Sequence, residues 1–363
     1  MTTSVQKQYP CASCGAALEF VPGSTSLHCP YCGSQTPIAV SAGGKHPYAD
    51  YADPARPDPT TLPSFELVCG QCGSPRTTTA VAGRCPSCRG ALVVTDDLGG
   101  ALKTPDGIVP FLVDKQHADQ AFRAWAGSRW FAPRALKSVV RADSMVGCYL
   151  PHWGFDDRTT SNYSGERGEH YWVTETYTVT VGDHQETRTR QVQHTRWYAA
   201  SGRVARDFVD LLVPAVSEPP ARTLDKLGPW AAADATGYQS EFLAGFDSPR
   251  YTIPAEAGFA RAREEMAPVI ERDCRDDIGG DEQRVHDVRT TDADVLFRLL
   301  LMPLWSADYA VGSNRFHVYV NANTGKVIGE RPYSAVKIAL LVVAVLAAVA
   351  VVVLLVRTQH PAG

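Results

Sequence analysis

CASCGAALEFVPGSTSLHCPYCG, residues 11–33, carries two Cys-x-x-Cys pairs separated by 14 residues. The arrangement recurs as CGQCG from Cys69 and CPSCRG from Cys85, with a gap of 12. Eight of the ten cysteines are thus Cys11, Cys14, Cys29, Cys32, Cys69, Cys72, Cys85 and Cys88. Two such turns, joined by a segment long enough for a short β-hairpin, present four thiolates to one metal. Zn²⁺ takes four soft ligands in a tetrahedron, and Cys₄ closes its shell. The spacing therefore predicts two zinc ribbons holding two structural Zn²⁺ ions, with no open coordination position for catalysis. A glycine follows three of the four pairs, as a tight knuckle turn requires. Disulfides are the competing use of these thiols, opposed by the reducing compartment argued below. A thioredoxin-like redox pair lacks its βαβ surroundings. His28 abuts Cys29 and reads as a hairpin residue rather than a ligand.

Each ribbon has too little apolar material to fold without metal. The stretch between them, SAGGKHPYADYADPARPDPTTLPS (residues 41–64), is rich in Pro, Gly, Asp and Ala, which predicts an extended, partly flexible linker.

At the other end lies IALLVVAVLAAVAVVVLLV, nineteen uncharged residues that begin at Ile338 and end at Val356. At 1.5 Å per residue such a helix matches the roughly 30 Å hydrocarbon core of a bilayer. The run predicts one C-terminal transmembrane helix. MTTSVQKQYP has no apolar h-region, so the expectation is a tail-anchored chain. Lys326, Arg331 and Lys337 precede the run and only Arg357 follows it, which predicts that the large N-terminal part is cytoplasmic.

The remainder is an ordinary globular composition, 44 % hydrophobic and 20 % charged with a net charge of −4, which excludes bulk attraction to polyanions. IVPFLVD reads as a strand. Asp114 then caps a helix, KQHADQAFRAWAG, with Ala118, Ala121, Phe122 and Trp125 on one face and Gly127 and Pro133 ending it. MVGCYLPHWGFDD is a strand, and YWVTETYTVTV alternates with period two. Gly182-Asp183 turns it into a partner, ETRTRQVQHTRWYA. A helix starts at Pro254, directs Phe259, Met266 and Ile270 inward, and should kink or end at Pro268. VLFRLLLMPLWSADY is a buried strand, and RFHVYVNANTGKVIGE a hairpin turning at Asn323 to Gly325.

YLPHWGFDD and LMPLWSADY share a hydrophobic-Pro-x-Trp-x-x-Asp core. Two equivalent structural corners, each Trp filling core, is the plainer reading; a duplicated ligand-binding lip is the sharper one. Arg188, Arg190, His194 and Arg196 share one strand face, either the wet side of a hairpin or a basic strip for an anionic lipid or acidic partner. Cys148 and Cys274 stand outside the quartets and read as packing or surface thiols rather than nucleophiles. No P-loop, His-Glu-x-x-His, Gly-x-Ser-x-Gly or dinucleotide fingerprint occurs, so no enzyme is predicted.

The two ribbons, IVPFLVDKQHADQAFRAWAGSRWFAPRALK, GCYLPHWGFDD, LLMPLWSADY and NANTGKVIGE together resemble a bacterial family of membrane-attached double-zinc-ribbon proteins. Its members often carry TFIIB-type zinc-ribbon or PriA-like "primosomal protein N′" names. The resemblance implies a role at the inner membrane among other membrane or envelope-stress proteins and supplies no active site. A helicase would need an ATP-binding loop that this chain lacks.

The expected fold is two small Cys₄ zinc ribbons, an α+β (β-rich) globular domain and one C-terminal transmembrane helix. The boundaries are ribbon 1 at 7–40, linker at 41–64, ribbon 2 at 65–95, α+β domain at 96–333, helix at 334–357 and tail at 358–363. Two functions remain: a protein-interaction adaptor or scaffold at the membrane, and a membrane-tethered nucleic-acid binder. Residues 1–95 hold six basic and five acidic side chains, a balance of +1 that each Cys₄ zinc site lowers by two. Tight phosphate binding needs several cationic contacts, so the adaptor is favoured and nucleic acid disfavoured. Leu18, Phe20 and Tyr31 are the expected apolar contacts of the ribbons.

Overall fold

The computed structural model describes residues 6–7, 9–51, 59–62, 64–69, 71–94, 102–129, 145–181, 184–311, 314–331 and 334–359. The turn expected at Gly182-Asp183 and the helix stop at Pro133 lie outside the described residues.

Strand β1 (Gln6–Lys7) precedes the first knuckle, and β2 (Glu19–Phe20), β3 (Ser26–His28) and β4 (Gln35–Pro37) form the first ribbon's small antiparallel sheet. β5 (His46–Pro47) follows. The second ribbon contains β6 (Phe65–Val68), β7 (Pro75–Thr78), β8 (Ala82–Arg84) and β9 (Ala91–Val94). β1 pairs with β9, Gln6 opposite Val94, so the two ribbons share a sheet.

The body is built on β10 (Gly107–Ile108) and three long strands, β11 (Val146–Val181), β12 (His184–Pro214) and β14 (Glu282–Val311), in the order β12-β11-β14-β10-β13, where β13 is Thr236–Gly237. The strands outrun their apolar sequence because three regimes of cover follow one another along them. From Tyr149 to Phe155 every β11 side chain is buried, sheet packing on both faces, which suits the continuous apolar run. From Asp157 to Tyr163 burial alternates with period two under a helix. Beyond Gly168, which pairs with Glu282 at the end of β14, β12 alone remains as a partner among the described residues, and most side chains are exposed.

Helix α1 (Lys115–Gly127) starts as expected: the Asp114 carboxylate accepts from the His117 N–H at 2.8 Å. Ala118 and Phe122 are buried, with Ala121 and Trp125 partly so. α2 is Ala221–Leu227 and α3 is Ala255–Ile278. α3 passes through Pro268 without ending, because its stripe of Phe259, Ala262, Met266, Ile270, Cys274 and Ile278 stays buried on the sheet beyond the proline. Gly258 lets α3 approach: a Cβ there would lie 2.7 Å from Trp153 Cδ1. β15 (Asn314–Asn321) and β16 (Val327–Gly329) form the expected hairpin, with Gly325 at φ 72° and the Asn321 side chain accepting from the N–H groups of Asn323 and Thr324.

The Pro-Trp segments are antiparallel neighbours, Pro151 opposite Leu301 and Tyr149 opposite Pro303. Trp153 and Trp305 are buried in separate clusters, and each indole N–H donates to a backbone carbonyl at 2.8 Å, Ile253 O and Val113 O. Both tryptophans are core, as the plainer reading had it.

The stretch at 41–51 differs from a free linker. Gly237 N–H donates to Ser41 O at 2.6 Å, His46 and Pro47 pair with Phe297 and Leu296, and Tyr51 packs 4.8 Å from the Phe297 ring. The ribbons are docked too. Leu18 and Phe20 are buried, Phe20 lying 5.0 Å from Phe242, so neither is the exposed contact expected of it; Tyr31 is exposed.

The last helix, α4, runs Ala335–Gln359. Among the described residues no helix is long and apolar enough to cross a membrane. This corrects the transmembrane part of the expected fold, the membrane as a partner through Ile338 to Val356, the tail anchor, and the inner-membrane location with a cytoplasmic N-terminal part. The two Cys₄ clusters and the β-rich body stand.

Candidate metal centres

All four knuckles close in the same way. The N–H groups of Gly15, Gly33, Gly73 and Arg89 donate to the carbonyls of Cys11, Cys29, Cys69 and Cys85 at 2.8, 3.1, 2.7 and 2.8 Å. Each N–H belongs to the residue after the second cysteine of its pair, and that residue takes positive φ: 75°, 74° and 72° at the glycines and 61° at Arg89. The left-handed turn folds the chain back so that both thiols of a pair point the same way. In the fourth knuckle an arginine accepts a conformation that glycine adopts without strain.

The turns converge in pairs. Cys11, Cys14, Cys29 and Cys32 bring their sulfurs within 4.8 Å of one another, as do Cys69, Cys72, Cys85 and Cys88. Across the first cluster Cys11 and Cys32 stand at 3.5 Å, as do Cys14 and Cys29. Across the second, Cys69 to Cys88 is 3.6 Å and Cys72 to Cys85 is 3.7 Å. A zinc ion with bonds of about 2.3 Å sets tetrahedral sulfurs about 3.8 Å apart, so both clusters fit it with little adjustment. These distances also exceed the roughly 2.05 Å of an S–S bond, and the cysteines are free thiols. In each cluster the first cysteine of every pair is buried and the second exposed.

Bound zinc would crosslink two hairpins and supply no reaction, since four thiolates fill its shell. The second ribbon shows why such a link is needed. Among the described residues its private core is Cys69, Cys85 and Leu92.

One supporting residue was not anticipated. The Ser34 hydroxyl lies 2.9 Å from Cys11 Sγ and 3.2 Å from Cys32 Sγ. That hydroxyl is the main reason the Cys11 thiol is held down to about 5. The signal was present: serine follows the knuckle glycine in both CPYCGS and CGQCGS. Ser74, the counterpart, bonds Ser87 instead. His28 stays outside the cluster, its Nε2 2.9 Å from Ser26 Oγ. Cys274 is buried in the α3 stripe, and burial pushes the half-buried Cys148 thiol up.

A second unanticipated group lies under α3. Asp157 is buried, and neither of its carboxylate oxygens has a hydrogen-bond donor among the described residues. Burial first, and then the neighbouring Asp292 carboxylate, push it up to about 7. Asp292 is itself paired with Arg263.

No family model matches the chain, so the PriA-like naming has no support. The chain is similar to the uncharacterized protein YdjG of Bacillus subtilis (strain 168), at 27 % identity over 332 residues, covering 91 % of this chain and 92 % of that protein. No solved structure matches. What the fold and site define is a protein with two tetra-cysteine clusters, each able to hold a zinc ion, docked on a β-rich body.

Proposed function

We propose that the protein is a protein-interaction adaptor whose zinc ribbons are structural and whose contact element is the distal β11–β12 ribbon. One observation carries this reading. Past Gly168 the hairpin projects without a third strand among the described residues, and about 12 residues of it at about 3.3 Å each reach some 40 Å beyond β14. Along it Tyr171, Trp172 and Tyr177 are exposed, Trp172 by 63 %. A bare two-stranded ribbon is marginal by itself, and exposed aromatics on one are the usual material of protein contacts. The burial of Leu18 and Phe20 against the body turns the ribbons from reaching elements into parts of the scaffold.

The test places a photo-crosslinking benzoylphenylalanine at Tyr177 of the full chain in its native cells. A discrete adduct to a different polypeptide, lost when Tyr171 and Trp172 become serine, is expected. No adduct to any other protein, or an adduct to nucleic acid alone, would overturn the adaptor reading.

A further inference from the structure

The two edges of the projecting ribbon are not alike. The β12 edge carries Arg188, Arg190, His194 and Arg196 at alternate positions on one face. The β11 edge, YWVTETYTVT from residue 171 to 180, has one charge, Glu175, among aromatic and β-branched residues. Cations at alternate positions are a common guard against edge-to-edge pairing, and the β11 edge has none. Pairing β12 with a second β12 about Val192 would set Arg188 opposite Arg196 and Arg190 opposite His194.

The backbone shows where the β11 edge opens. Gly168 O accepts from Asp281 N–H at 2.9 Å, and His170 N–H donates to the Asp281 carboxylate at 2.7 Å. Both groups face the side that β14 has just left. With period two, the N–H and C=O groups of Trp172, Thr174, Thr176, Thr178 and Thr180 face that side as well. No described strand pairs with them.

We propose that this β11 edge pairs antiparallel with the same edge of a second copy of the chain, about a two-fold axis at Thr176. The proposal rests on the reading of the arm as an interaction element and names one partner for it. A two-fold axis perpendicular to the sheet sets residues of equal parity opposite each other. An axis at Glu175 would place that carboxylate against its copy. An axis at Thr174 would need the His170 N–H, already held by Asp281. The Thr176 register sets Thr174 opposite Thr178, Trp172 opposite Thr180, Val173 opposite Val179 and Tyr177 opposite Glu175. Threonine pairs and β-branched pairs stabilise such rungs, and no like charges meet. The paired strand continues the track of β14, so the arms join as a four-stranded sheet. Each copy uses its one unguarded edge, so the contact closes as a dimer rather than growing into a fibre.

The test compares Thr176→Cys with Thr189→Cys in the full chain under mild oxidant. Thr189 lies directly opposite Thr176 on β12, and both are exposed. Thr176→Cys should form a disulfide-linked pair on non-reducing gels at least tenfold faster than Thr189→Cys. Adding Thr174→Pro, which deletes an edge donor, should remove that advantage. Equal rates at the two sites, or no crosslink at either, would overturn self-pairing. An arm that crosslinks to other proteins but not to itself would remove this inference and leave the adaptor reading standing.

Discussion

Lys45 places its Nζ 2.7 Å from Asp156 Oδ2 and 2.9 Å from Asp210 Oδ1, and so fastens the segment between the two ribbons to the sheet. Arg298 completes the group, bonding Asp210 at 2.7 Å. Lys45→Met would leave two half-buried carboxylates sharing one guanidinium. We expect a loss of about 1–3 kcal/mol, read as a lower denaturant midpoint. An unchanged midpoint would show that the segment is not held.

Arg89 sits where the other knuckles have glycine. Arg89→Gly relieves a left-handed backbone and should stabilise the second ribbon by about 0.5–1 kcal/mol. Gly15→Ala should cost about 1 kcal/mol by the same argument, since a Cβ at Gly15 meets nothing within 4 Å and only φ opposes it. Zinc-dependent melting of the two variants, in opposite directions, is the check.

Gly258→Leu drives a side chain into Trp153. Trp153 is fully buried and has no space to yield, so a loss of about 1–3 kcal/mol is expected. In a Trp153→Ala background, itself lower by about 3–5 kcal/mol, Gly258→Leu should cost less than it does alone, because the clash is with the indole. Equilibrium unfolding of the single and double variants reads both effects.

Asp157 predicts a pH dependence with a definite sign. Its carboxyl is raised to about 7 in the fold, so between the ordinary carboxylate value and about 7 the folded state binds the extra proton. That favourable protonation is present at pH 5 and is lost as pH rises through 7. Asp157→Asn removes the charge and can donate to Asp292. It should raise the melting temperature by about 2–4 °C at pH 8, with a smaller gain at pH 5. A gain that grows as pH falls would reverse the assignment.

Much of the local structure was legible because its signals are local. Cysteine spacing gives both clusters, Asp114 the start of α1, and Gly325 the β15–β16 turn. What the residues could not give is address. Phe20 and Leu18 read as apolar hairpin residues, yet both belong to the body's core cluster, Phe20 against Phe242 and Phe246. Lys45, in a Pro- and Gly-rich stretch, reads as linker until Asp156 is brought beside it from 111 positions away. Pro268 was given its local meaning, and the buried stripe of α3 overrides it. The strands ran longer than periodicity suggested because polar residues such as Thr159 and Ser161 are buried under α3 with hydrogen bonds to Arg206 O and Thr290 Oγ1. The apolar run near the end reads as a span from its hydropathy, yet among the described residues no helix is long and apolar enough to cross a membrane.

The central claim is that two docked ribbons each hold one structural zinc, and metal analysis of the purified full chain tests it most directly. The account predicts a zinc-to-protein ratio near 2, falling to near 1 in Cys11→Ser/Cys14→Ser and independently in Cys69→Ser/Cys72→Ser. Because Phe20 is part of the body's core, the first of these variants should also lower the melting temperature of the whole molecule. A ratio unmoved by either pair of substitutions, or a wild-type ratio near zero with the eight thiols oxidised, would contradict it.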